Sequence, residues 1–137
     1  MQENTKSVSE FLRAVKSEIE AAVNIDVELF KLPTSNSGAS LSIGEISSVE
    51  KTGELFKVKL NILCECFVSL AESNPELVAT EISMNIQEIV SVNSFGCTAR
   101  PPESLSNAPM GEDDKNYFRG LTWDQELYVE RFDIKAP

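Results

Sequence analysis

The stretch GELFKVKLNILCECFVSL, residues 53–70, alternates apolar and polar positions for most of its length, with no proline and no glycine after Gly53. Phe56, Val58, Leu60, Ile62, Cys64, Cys66 and Val68 share one face of an extended chain. Lys57, Lys59, Asn61, Glu65 and Ser69 share the other, joined there by Leu63 and Phe67. Successive side chains of an extended backbone point to opposite sides, so period-two alternation marks a strand with one buried face. At about 3.3 Å per residue this strand reaches roughly 50 Å, where strands usually run about 5–6 residues. A strand that long needs a paired neighbour, and its far part needs cover that a small core does not supply.

The neighbour precedes it. Residues 41–58, LSIGEISSVEKTGELFKV, read as a strand, a turn at Glu50-Lys51-Thr52-Gly53 and the start of the long strand. Gly53 supplies the permissive backbone of a tight hairpin. Upstream, Ser7 and Glu10 are spaced as a capping box. Phe11, Leu12, Val15, Ile19, Ala22 and Val23 follow at helical spacing, predicting an amphipathic helix that ends near Asn24. Ile25, Val27 and Leu29 alternate against Asp26, Glu28 and Lys31 as a first strand ended by Pro33, and PTSNSGAS reads as a loop.

Downstream, Asn74, Pro75 and Glu76 form a helix start, Leu77, Val78, Ile82, Ile86, Ile89 and Val90 an apolar stripe, and Gly96 the exit. Residues 97–116 hold adjacent prolines, Ser, Asn, Gly and the acidic triplet Glu112-Asp113-Asp114, and read as a long loop, of a kind that is functional or partly disordered. A last strand carries Trp123, Leu127 and Val129 toward one side and Tyr128, Phe132 and Ile134 toward the other; a bulge near Leu127 reconciles them. The expected fold is a single α+β domain over residues 1–137: a small antiparallel sheet with a long β-hairpin and two helices packed on one face.

Composition narrows the function. The chain has 137 residues, a net charge of -10 and no histidine. Gripping nucleic acid through a basic patch is disfavoured, since phosphate affinity comes from Lys and Arg. Without histidine the Ser–His and Cys–His nucleophile systems cannot be built from this chain, so no catalytic residue and no cofactor is assigned. Cys64, Cys66 and Cys97 read as small buried hydrophobes rather than metal ligands, and the acidic triplet as solvated loop, so no metal is assigned. No apolar run approaches a membrane span and the first residues lack the regions of a signal peptide, so no membrane is expected and the cytoplasm is the expected compartment.

Two features ask for a protein partner. A two-stranded ribbon is marginal alone in water, and the terminal strand is apolar on both faces, which invites pairing. Lys57, Lys59, Leu63, Phe67, Trp123 and Tyr128 are therefore the expected interface residues. On the second helix Glu81 and Glu88 are seven apart, share a face, and have no basic residue among them.

The element order, and above all FKVKLNILCECFVSL, NPELVATEISMNIQEIV and GLTWDQELYVERFDI, resembles the tail terminator proteins of tailed bacteriophages. The resemblance runs from Val8 to Ile134 and lies in apolar patterns rather than signature side chains. It implies a homo-oligomer, a hexameric ring, that caps the tail tube, ends its growth and meets the head–tail connector protein. It also implies a place in the virion tail or neck, after assembly in the host cytoplasm. DNA would pass through without specific binding, past a lumen that Glu81 and Glu88 would line. The rival expectations are another phage connector or tail-tube component, and a small ligand-binding or regulatory α+β domain.

Overall fold

The computed structural model describes residues 7–92, residue 95 and residues 100–130. Gly96, Cys97, Phe132 and Ile134, named above, lie outside them. The elements run α1 (Val8–Val23), β1 (Asp26–Leu29), β2 (Ser37–Thr52), β3 (Leu55–Ser69), α2 (Pro75–Val92), β4 (Glu103–Glu112) and β5 (Asn116–Val129). The strands form one sheet in the order β1-β2-β3-β5-β4. The fold is α+β, a small mixed sheet with both helices on one face.

The helix ends form for the reasons their residues supply. The Ser7 side chain accepts a hydrogen bond from the Glu10 backbone N–H at 3.2 Å, satisfying one of the unpaired donors of the first turn. Asn24 closes α1 in the left-handed region at φ 60°, its N–H reaching the Glu20 carbonyl. The alternation of β3 is realised residue by residue. Val58, Leu60, Ile62, Cys64, Cys66 and Val68 are all buried, with Phe11, Leu12, Val15 and Ile19 of α1 and Ala79, Ile82, Ile86 and Val90 of α2 completing the same core. Each fully buried aliphatic side chain of this kind contributes about 1.5–3 kcal/mol.

The hairpin of β2 and β3 turns at Gly53, φ +66°. Its pairing shifts between Ile43 and Ile46 and again between Ile46 and Ser48, each time leaving an extra residue on β2. β5 pairs with β3 in unbroken antiparallel register from Phe56↔Val129 to Ser69↔Asn116. The bulge expected near Leu127 is absent on that side.

Three further expectations are corrected. The sheet is not wholly antiparallel, because β1 runs parallel to β2 in the register Asp26↔Gly38 to Leu29↔Leu41. Residues 30–36 make this short return possible by crossing the face that carries no helix. Pro33 rests there against the position of Gly38, where a Cβ would meet the Asp26 carbonyl oxygen at 2.6 Å. The loop reading of PTSNSGAS therefore holds only to Asn36. The long loop expected over 97–116 is largely strand: β4 pairs antiparallel with β5 and carries two bulges, between Glu103 and Ser106 and between Pro109 and Gly111. Asp113 then forms the β4–β5 turn, its carboxylate accepting from the N–H groups of Lys115 and Asn116, both at 2.8 Å. Those two backbone bonds, Asn116 first, hold its pKa below the usual carboxylate range.

A candidate docking face

The sheet face opposite the helices is formed mainly by β3 and β5. Cross-strand partners share a face, so the register places Lys57 beside Tyr128, Lys59 beside Glu126, Asn61 beside Asp124, Leu63 beside Thr122 and Phe67 beside Phe118. Five of the expected interface residues, Lys57, Lys59, Leu63, Phe67 and Tyr128, are thus brought to one surface. Trp123 is not among them. It faces the helices, is fully buried, and its indole Nε1 donates to the Gln125 side-chain oxygen at 3.0 Å. Phe67 belongs to the right face but is 2% exposed, because residues 32–36 lie over it and line the depression beside it.

What remains open is polar and only loosely paired. Lys57 Nζ stands 3.8 Å from Glu126 Oε1, and Lys59 Nζ stands 3.6 Å from Glu103 Oε2. Partly exposed pairs at such distances contribute up to about 1 kcal/mol each. Glu126 Oε1 is buried and has no hydrogen-bond partner, so only the charge of Lys57 compensates it. Asn61 donates to the Trp123 carbonyl and to the Asp124 carboxylate, both at 3.2 Å. A shallow hollow of about 360 Å³ lies between Glu45, Ser47, Lys59, Asn61 and Asp124.

Sequence reasoning missed one contributor to this face. Met110 occupies the second β4 bulge and lies across Gly120, where a Cβ would meet its sulfur at 2.6 Å, with Leu63 next to it. The bulge hides Met110 from any period-two reading.

Glu65, among these residues, has its carboxyl raised above its ordinary range by burial. The folded state therefore disfavours its charged form. That contribution to stability is intact below the unfolded pKa and declines as pH rises through the folded one. Glu65→Gln should accordingly leave the thermal midpoint unchanged in acid and raise it modestly relative to wild type toward neutral pH. Midpoints measured across the carboxylate range check this, and a wild type that gains on the variant as pH rises would refute it. Asp113, with its lowered pKa, acts in the opposite sense and loses its contribution as pH falls.

Two apolar surfaces lie elsewhere. On β2, Ile46 and Val49 are 40% and 46% exposed, although their partners Leu60 and Val58 on β3 are fully buried. On α2, Glu81 and Glu88 are exposed as expected, but Leu77, Met84 and Val92 are exposed beside them. Leu77, expected in the core stripe, is corrected to the outer side, roughly half a turn from Ile82 and Ile86.

Cys64 and Cys66 are buried in the core as free thiols. Their mutual contact and their burial hold the Cys64 pKa well above the usual value. Among the described residues no group of three His, Cys, Asp or Glu is placed to hold a metal ion, and no helix is long and apolar enough to cross a membrane.

No family model and no curated protein matches the sequence. Of 13 matching chains of solved structures, one, which bears no functional description, superposes with a TM-score of 0.57 at 13% identity. The match covers 92% of this chain and 97% of that one, and shows the fold alone.

Proposed function

We propose that the protein is a structural component of a phage tail. Copies of it form a ring, hexameric by the resemblance, on the last tier of the tail tube, end the growth of the tube and present a surface to the head–tail connector. The observation that carries this reading is the hairpin, which leaves Ile46 and Val49 of β2 exposed. β5 pairs with β3 as far as Phe56, so what asks for a neighbour is not a bare ribbon but the two large apolar side chains left open on β2. The open sheet face, with its half-buried Leu63 and its loosely paired Lys57 and Lys59, offers a second surface for the tube or the connector. The net charge of -10 suits a ring through which DNA passes without being held.

The test is mass and morphology together. Sedimentation of the purified protein, alone and with tail tubes, should give a closed oligomer or a species bound at one tube end, and electron microscopy should show tubes that no longer elongate. A protein that stays monomeric at high concentration and in the presence of tubes, with tube growth unaffected, overturns the reading. A monomer that binds a small molecule favours the ligand-binding alternative.

A further inference from the structure

Leu77, Glu81, Met84, Glu88 and Val92 follow one another at spacings of four, three, four and four, so they form a single stripe on α2. That stripe lies opposite the buried Ala79, Ile82, Ile86 and Val90 and points away from the sheet. It combines three large exposed apolar groups with two carboxylates, and α2 carries no basic residue. A stripe of this composition suits a partner that is apolar and basic, whereas a channel wall past which DNA slides needs charge without grease.

The chain itself displays such a partner. The register puts Ile46 with Leu60, Val49 with Val58 and Lys51 with Phe56, all on the helix side of the hairpin, while Glu50 and Lys57 fall on the other side. Lys51 Nζ lies 5.9 Å from the centre of the Phe56 ring, which keeps its charge over this surface. The helix side of the tip thus offers Ile46, Val49 and Phe56 with one cation. The strand face is the shorter: with the bulge after Ile46, Ile46 to Lys51 spans about 13 Å, so it covers part of the roughly 22 Å from Leu77 to Val92.

We infer that the helix side of the hairpin tip of one copy docks on the outer stripe of α2 of a second copy, Lys51 meeting Glu81 and Glu88 while Ile46 and Val49 cover part of the row formed by Leu77, Met84 and Val92. The inference rests on the copy-to-copy assembly proposed above and names its contact. Both surfaces face the same way on one chain, so a chain cannot satisfy itself and the contact passes to a neighbour. Repeated head to tail, such a contact closes a ring when its rotation divides the full circle.

The experiment is a charge exchange. Lys51→Glu, and separately Glu81→Lys with Glu88→Lys, place like charges across the contact. Each should raise the concentration for half-assembly about tenfold or more. All of these residues are exposed, so thermal midpoints should be unchanged. A one-to-one mixture of the two variants should assemble as wild type does, because every hairpin then finds a helix of opposite charge in an alternating ring. The inference is overturned if either variant assembles like wild type, or if the mixture fails to rescue two well-folded variants; the ring reading survives both results. Rescue in a species with the mass of a dimer upholds this contact and overturns the ring. A wild type that is monomeric throughout overturns both.

Discussion

Leu60→Asp abolishes the native fold. Leu60 is fully buried at the middle of β3, between β2 and β5 and under the helices. An aspartate there must either bury a charge or take up a proton, and an uncompensated buried charge costs about 3–5 kcal/mol in practice. The lost packing of the leucine side chain adds to it, at about 2–5 kcal/mol for the truncation alone. A domain of this kind has about 5–15 kcal/mol in total, so the expected outcome is insoluble protein or loss of the cooperative transition in circular dichroism. Lys59→Ser, one residue along the strand on the opposite face, removes only a partly exposed ion pair and should cost no more than about 1 kcal/mol. If Leu60→Asp kept a wild-type midpoint, the face assignment of β3 would be wrong.

The second large effect belongs to Trp123, the single tryptophan of the chain. Trp123→Ala should cost about 3–5 kcal/mol through the cavity left among core side chains. It also strands the Gln125 side-chain oxygen, which the indole N–H satisfies. Trp123→Phe keeps much of the ring and isolates that second loss, expected at about 1–3 kcal/mol. Gln125 in turn donates to the Arg100 carbonyl at 2.8 Å, so both variants should loosen the entry to β4. Urea midpoints followed by circular dichroism measure the cost, and hydrogen exchange at residues 103–112 measures the loosening. A Trp123→Ala protein within about 1 kcal/mol of wild type would place the indole at the surface after all.

These two residues also show how far the sequence could be read. Leu60 sits in an uninterrupted alternation, and there the pattern names the buried face directly. Trp123 sits in an equally regular strand. The spacing gives its side and leaves it core or interface; β4, which makes β5 an internal strand, is what the pattern does not show. β4 itself was hidden. Pro109, Gly111 and two extra residues break its alternation, and its composition is that of a loop. The parallel β1–β2 pair was hidden for another reason: strand direction follows from where the chain returns, and Pro33 crossing above Gly38 leaves no periodic trace. On α2 Leu77 stands roughly half a turn from Ile82 and Ile86, so its spacing already sets it with Glu81, Met84 and Glu88 on the outer side. The docking face was legible as a list of polar positions on β3, while Met110 and the cover over Phe67 were not.

The edges of the sheet have a consequence for how many copies can come together. β4 ends the sheet with two bulges and a proline that lacks a backbone donor, and β1 ends it with four residues. The length of β2 that β1 leaves uncovered is kinked where two extra residues interrupt it. None of these borders offers a straight row of donors and acceptors to an incoming chain. Backbone pairing, which would let copies add without limit, is thereby discouraged, and association is left to side chains that fit a particular neighbour. A protein with such borders can be concentrated at one place without templating fibres through its strands.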